Sequence, residues 1–130
     1  MRYYHAVVHK DADSAFGVHF PDLPGCFSAA DRIEDVVPNA IEALSLWFED
    51  QEEVEPSSIE KLRDVAATDL AEGAFLIMVP WIGRNSKSAR VNISLDKAML
   101  AAIDQAAAMR HLTRSAFLAE AARNEIEGRR

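Results

Sequence analysis

The side chains best suited to chemistry in this chain lie at two ends of it. Near the front, His5, His9, His19 and Cys26 are metal-ligand and nucleophile types. His5 and His9 fall on one face of an apolar, β-branched stretch, but at about 3.3 Å per residue they stand some 13 Å apart, too far to share an ion. His19 would come near only by accident of strand register, so the three are read as partly exposed sheet residues. Cys26 has no cysteine or histidine at metal spacing and reads as a small buried residue. No metal, no nucleophile and no cofactor is expected. Near the rear, in ARVNIS at 89–94, Arg90, Asn92 and Ser94 alternate with Val91 and Ile93. Arginine and asparagine make bidentate contacts to guanine and adenine edges, and a two-stranded ribbon fits the major groove of DNA.

Such a ribbon needs two strands, and nothing else after residue 84 is strand-like. The remainder of the rear segment spells two helices. Asp96 or Ser94 can cap one that carries Met99, Leu100, Ile103 and Ala107 on one face. Arg110 to Leu112 interrupts it, and Thr113 can cap a second with Phe117, Leu118, Ala121, Ala122 and Ile126. One strand and two short helices leave a ladder unpaired and an apolar face uncovered. A second copy solves both: the strands pair antiparallel across a twofold axis, Val91, Ile93 and Leu95 drop onto the four helices with Ile103 and Phe117 in the shared core, and Arg90, Asn92 and Ser94 point outward. The expected partners are thus a second copy and double-stranded DNA, with further assembly to a tetramer left open.

The front segment has a different pattern. RYYHAVVH at 2–9 and FGVHF at 16–20, joined by KDADS, predict a hairpin, and GCFSA after the PDLPG break predicts a third strand. Asp31, with Glu34 three residues on, is a candidate cap for a helix whose apolar positions are Val37, Ile41, Leu44 and Phe48. Pro38 lies inside it and should kink it or shift its start. SSIEKLRDVA predicts a short helical turn, and AFLIMVP at 74–80 a buried strand. Trp47 and Phe48 are read as core, and the acidic run from Glu49 to Glu55 as a solvated face or a docking edge for a basic partner.

Composition narrows the classes. With 49% hydrophobic and 27% charged residues in 130, the chain can build a core and is not disordered throughout. Its longest apolar run is far short of the roughly 20 residues of a membrane span, and MRYYHAVVHK has no apolar region of signal-peptide type, so neither membrane nor secretion is expected. A single cysteine excludes an internal disulfide, which suits a reducing cytoplasm. Residues 1–83 hold 16 acidic and 5 basic side chains, for −11, whereas residues 84–130 hold 5 acidic and 9 basic, for +4. The front would repel nucleic acid and attract a basic protein; the rear could meet phosphate. The sign changes inside WIGRNSK, so the expected domains are 1–82, a linker over 83–88, and 89–130.

Two resemblances sharpen this. RVNISLDKAMLAAIDQAAAMRHLTRSAFLAEAA resembles the ribbon-helix-helix DNA-binding domain, which implies base reading by Arg90, Asn92 and Ser94 and phosphate holding at the N-terminus of the second helix, at Thr113, Arg114 and Ser115. His111 departs from it, since many relatives have glycine in that turn. GVHFPDLPGCFSAADRIEDVVPNAIEALSLWFED, with PSSIEKL and AFLIMVP, resembles the HicB antitoxin family. That implies an α+β chain with a truncated RNase H-like βββαβ front domain that blocks a small, basic, mRNA-cleaving HicA-like toxin. An active RNase H-like site would need clustered carboxylates for metal. The first strand has none, and Asp11 and Asp13 fall in a turn, so no enzyme is expected. The resemblances together imply an antitoxin that also represses its own operon; a stand-alone ribbon-helix-helix regulator with a ligand-sensing front domain is the alternative.

Overall fold

The computed structural model describes residues 1–83 and 88–128, and the chain divides into two compact units, Met1–Gly83 and Arg84–Arg130. Most of the expected linker, residues 84–87, lies outside the described residues.

In the front unit β1 (Arg2–Lys10), β2 (Phe16–His19), β3 (Phe27–Ala30) and β4 (Phe75–Trp81) form one antiparallel sheet in the order β3-β2-β1-β4. Asp11 and Ser14 close the first hairpin through Ser14 N–H to the Asp11 carbonyl at 3.3 Å and Asp11 N–H to Ser14 Oγ at 3.1 Å. The second reversal is PDLPG. Leu23 and Cys26 donate back to Phe20 and Leu23 at 3.0 Å each, and Gly25 takes φ +87°, where a side chain would be strained. Leu23 is fully buried, so this break in the chain also contributes to the core.

β1 is buried on both faces. Tyr4, Ala6 and Val8 join Val18, Phe20, Val79 and Trp81 under α1 (Ile33–Trp47), while Val7 packs with Ala66, Ala74, Leu70 and Leu76 on the other side. Two helices, α2 (Ile59–Val65) and α3 (Ala67–Ala71), supply that second cover, where the sequence suggested one short turn. Ser58 caps α2 by accepting from Lys61 N–H at 3.2 Å.

Three expectations are corrected. Arg32, not Asp31, occupies the cap of α1, and no side chain caps it; Glu34 pairs with Arg32 at 3.2 Å instead of reaching back to the cap. The helix runs through Pro38, and Val36, Ala40, Ile41 and Leu44 are its buried stripe, with Val37 only partly covered. The carbonyl that Pro38 leaves without a helical donor belongs to exposed Glu34, where water can serve it. Lastly, β4 is buried only over Val79–Trp81, since Phe75 and Met78 are largely exposed.

In the rear unit α4 (Lys97–Met109) and α5 (Arg114–Glu127) form a helical hairpin. Residues 88–96 form no strand within the single chain. A strand is defined by its ladder, and this segment meets no partner strand within one copy. Among the described residues, no helix is long and apolar enough to cross a membrane.

Candidate nucleic-acid interface and dimer surface

The turn between α4 and α5 sets the geometry of the rear site. Asp96 opens α4 by accepting from Met99 N–H at 2.8 Å. At its other end Leu112 N–H donates to the Ala107 carbonyl at 2.9 Å and His111 N–H to Ala108 at 3.1 Å, the paired bonds of a Schellman motif. That motif puts the residue after the cap in the left-handed region, and His111 sits there with φ 57°. Thr113 then caps α5, its Oγ1 accepting from Ala116 N–H at 3.1 Å. The N–H groups of Arg114 and Ser115, in the first turn, have no helical acceptor and carry the positive end of the helix dipole.

Around this turn the chain folds back on itself. Asn92, Ser94, Arg114 and Ser115 line one open hollow, together with Val91, Ile93, Leu95 and Leu118. Arg90 and Thr113 are exposed but lie outside the lining. Of the residues expected in a dimer core, Ile103 is already buried at 7% exposure and Phe117 is half-buried. Val91, Ile93 and Leu95 are 72%, 61% and 41% exposed, so three apolar side chains in five residues face solvent in one copy.

Arg114 has an engagement the sequence did not disclose. Its Nε and Nη2 donate to the two carboxylate oxygens of Asp104, both at 2.8 Å, a bidentate fork across α4 and α5. The hydrogen bonds from Arg114 hold the Asp104 carboxyl below its ordinary value. Arg110 reaches Glu120 at 2.6 Å in a second cross-helix pair, ten residues apart like the first, and Arg123 meets the buried Glu127 at 3.6 Å. Arg114 is therefore both a candidate phosphate ligand and a strut of the hairpin.

The front unit places its chemistry-bearing residues differently. The register pairs Val7 with His19 and His9 with Gly17, which stacks the rings of His9 and His19 at 5.7 Å; His9 Nε2 also meets Asp69 of α3 at 3.2 Å. The approach of His19 is thus a real product of register, contrary to expectation. Among the described residues no group of three or more His, Cys, Asp or Glu side chains is arranged to hold a metal. Cys26 is buried, and burial pushes its thiol up to about 11. Phe48 stacks on Trp81 at 5.1 Å and meets Tyr4 and Trp47 at 5.5 and 5.0 Å, so these aromatics are core. The acidic segment after α1 is tied down at several points. Tyr4 Oη donates to the Val54 carbonyl, Arg2 meets Glu53 and Glu55 at 3.5 and 3.3 Å, and the Asp22 carboxylate accepts from Ser57 N–H and Oγ at 2.8 and 2.6 Å.

A family model described as the HicB_like antitoxin of bacterial toxin-antitoxin systems matches residues 4–122. The chain belongs to the HicB-like antitoxin family. Solved relatives agree with that assignment. The crystal structure of the Burkholderia pseudomallei antitoxin HicB is 36% identical, with 94% of this chain and 96% of that one covered at a TM-score of 0.55. The antitoxin HicB3 is 30% identical, with 96% and 98% covered at a TM-score of 0.54. A chain of a HicA3 and HicB3 toxin-antitoxin complex is 25% identical, covering 63% of this chain and all of that one at a TM-score of 0.53. This HicB-like chain is accordingly a type II antitoxin with a regulatory, non-enzymatic role, and its α+β fold with a four-stranded antiparallel sheet is that of HicB antitoxins.

Proposed function

We propose that the front unit, residues 1–82, blocks a small basic HicA-like toxin that cleaves mRNA, and that the rear unit dimerises as a ribbon-helix-helix domain to bind operator DNA and repress its own operon in the cytoplasm. The solved complex of HicA3 with HicB3 supports the first half, together with the −11 charge of residues 1–83, which suits a basic partner. In this reading the front sheet is a truncated RNase H-like scaffold. Asp11 and Asp13 sit exposed in the first turn, away from any cluster.

The observation that carries the second half is the segment 88–96. Three apolar side chains alternate along it with Arg90, Asn92 and Ser94, and all six are exposed in a single copy. Antiparallel pairing with a second copy gives the backbone its ladder, turns Val91, Ile93 and Leu95 inward, and leaves Arg90, Asn92 and Ser94 on the face that enters the major groove. The first turn of α5 then offers the N–H groups of Arg114 and Ser115 to a phosphate, beside the Thr113 cap.

Titrations of operator DNA with Arg90→Ala and Asn92→Ala test the base-reading assignment. Each is expected to remove about 1 to 3 kcal/mol of preference for the cognate base without affecting dimerisation. Operator binding with wild-type sequence preference in both variants refutes it. For the toxin, calorimetry of the full-length chain with a HicA-like toxin is expected to show saturable binding; its absence refutes the front-unit assignment.

A further inference from the structure

The front sheet has two outer strands, and they differ. β4 carries Pro80, which has no N–H to offer and blunts that edge. β3 has no such device. The hydrogen bond from Phe20 N–H to the Cys26 carbonyl, with Val18 opposite Ser28 and Phe16 opposite Ala30, fixes the phase of the ladder. Cys26, Ser28 and Ala30 direct their backbone groups at β2, so Phe27 and Ala29 direct theirs outward. Asn39 of α1 satisfies one of these, its Nδ2 donating to the Ala29 carbonyl at 2.9 Å. The N–H groups of Phe27 and Ala29 and the carbonyl of Phe27 make no hydrogen bond among the described residues.

This edge forms one wall of a groove. The other wall is a stripe of α1 at helical spacing, Asn39, Glu42, Ala43 and Leu46. Phe27 and Leu46 are 71% and 62% exposed at its mouth, an unusual pair of large apolar side chains to leave in water. Glu42 is the sole charged side chain of the lining.

We propose that the groove between β3 and α1 receives an extended segment of the toxin, which adds to β3 as a fifth strand. Backbone bonds to Phe27 and Ala29 supply the register, an apolar side chain of the segment covers Phe27 and Leu46, and a lysine or arginine pairs with Glu42. Three observations select this occupant: an edge with donors and an acceptor left over, an apolar mouth, and an acidic lining in a unit with 16 acidic and 5 basic side chains. The inference rests on the reading of the front unit as the toxin-binding half and specifies where on it the toxin docks.

The test uses the full-length chain with a HicA-like toxin. Hydrogen exchange at the Phe27 and Ala29 amides is expected to slow at least about tenfold in the complex, and Glu42→Arg and Leu46→Asp, both at exposed positions of α1, to weaken toxin binding by about tenfold or more while leaving the circular dichroism spectrum intact. Ala29→Pro removes one outward N–H without touching the β2 ladder and is expected to do the same. Toxin binding by Glu42→Arg and Leu46→Asp within about twofold of wild type overturns the groove assignment and leaves the toxin-binding reading standing. Protection of these amides in the free chain that grows with its concentration would place a second copy in the groove and also overturn it. Failure of the wild-type chain to bind the toxin at all sinks the underlying reading.

Discussion

Replacing Ile93 with glutamate addresses the rear unit where its structure is least self-sufficient. Ile93 keeps 61% of its surface exposed in one copy. Full burial of such a side chain is worth about 1.5 to 3 kcal/mol, so completing it contributes roughly 1 to 2 kcal/mol per chain and about 3 per symmetric dimer. At about 1.4 kcal/mol per decade, losing that term alone raises the dissociation constant about 100-fold. Two glutamates facing each other under a ribbon add the desolvation of unpaired charge, so about 100-fold is a lower bound. Sedimentation equilibrium over a concentration series measures it, with Asn92→Ala as the control that changes the outward face and leaves the dimer intact. The variant should lose operator binding at the concentrations where it becomes monomeric. If Ile93→Glu dimerises within about threefold of wild type, the ribbon does not form by turning this face inward, and the geometric argument fails.

Three further outcomes are expected. Asp104→Asn releases the Arg114 fork, so binding to all DNA sequences should strengthen and its salt dependence steepen by about 0.9 per phosphate gained, whereas Arg114→Ala should weaken all sequences alike; an unchanged slope for Asp104→Asn excludes Arg114 as a phosphate ligand. His111→Gly relieves a non-glycine left-handed residue and should stabilise the protein by about 1 kcal/mol in denaturant titration, and a loss of stability would mean that the histidine ring makes a contact worth more than the strain. Burial raises the Cys26 thiol to about 11 from an ordinary 9.0, which favours the protonated form in the fold. Its contribution is therefore full below about pH 9 and lost as the pH rises toward 11, and alkylation at pH 8.5 should be slow until denaturant is added; rapid labelling of the folded chain contradicts this.

What the sequence disclosed were features written locally. The alternation around Val7 and Val18, the turn residues Asp11 and Ser14, and the cap at Thr113 each depend on neighbours a few positions away, and they form as their patterns predict. The errors arose where long-range packing decides. Asp31 had the right type for a cap, but α1 begins two residues on, as required to bury Val36 and Ala40. The region 58–71 reads as one weak turn because each of its helices is short, and it becomes two only because Val7 and Leu76 offer them a surface. The Arg114 to Asp104 fork joins two helices, and the Asp22 to Ser57 pair spans 35 positions; neither has a periodicity to reveal it. The stacking of His9 on His19 follows from a register that residue types alone do not specify.

The anchoring of the acidic segment by Tyr4, Arg2 and Asp22 bears on how quickly a partner can be captured. A free arm with carboxylates at Glu49, Asp50, Glu52, Glu53 and Glu55 would sample many shapes, and each residue ordered on contact would forfeit about 1 to 2 kcal/mol of backbone freedom. Here that ordering is complete before any encounter, at the stage of folding. An approaching cation meets a field of fixed shape, so orientation is selected at a distance and little is left to rearrange once the surfaces touch.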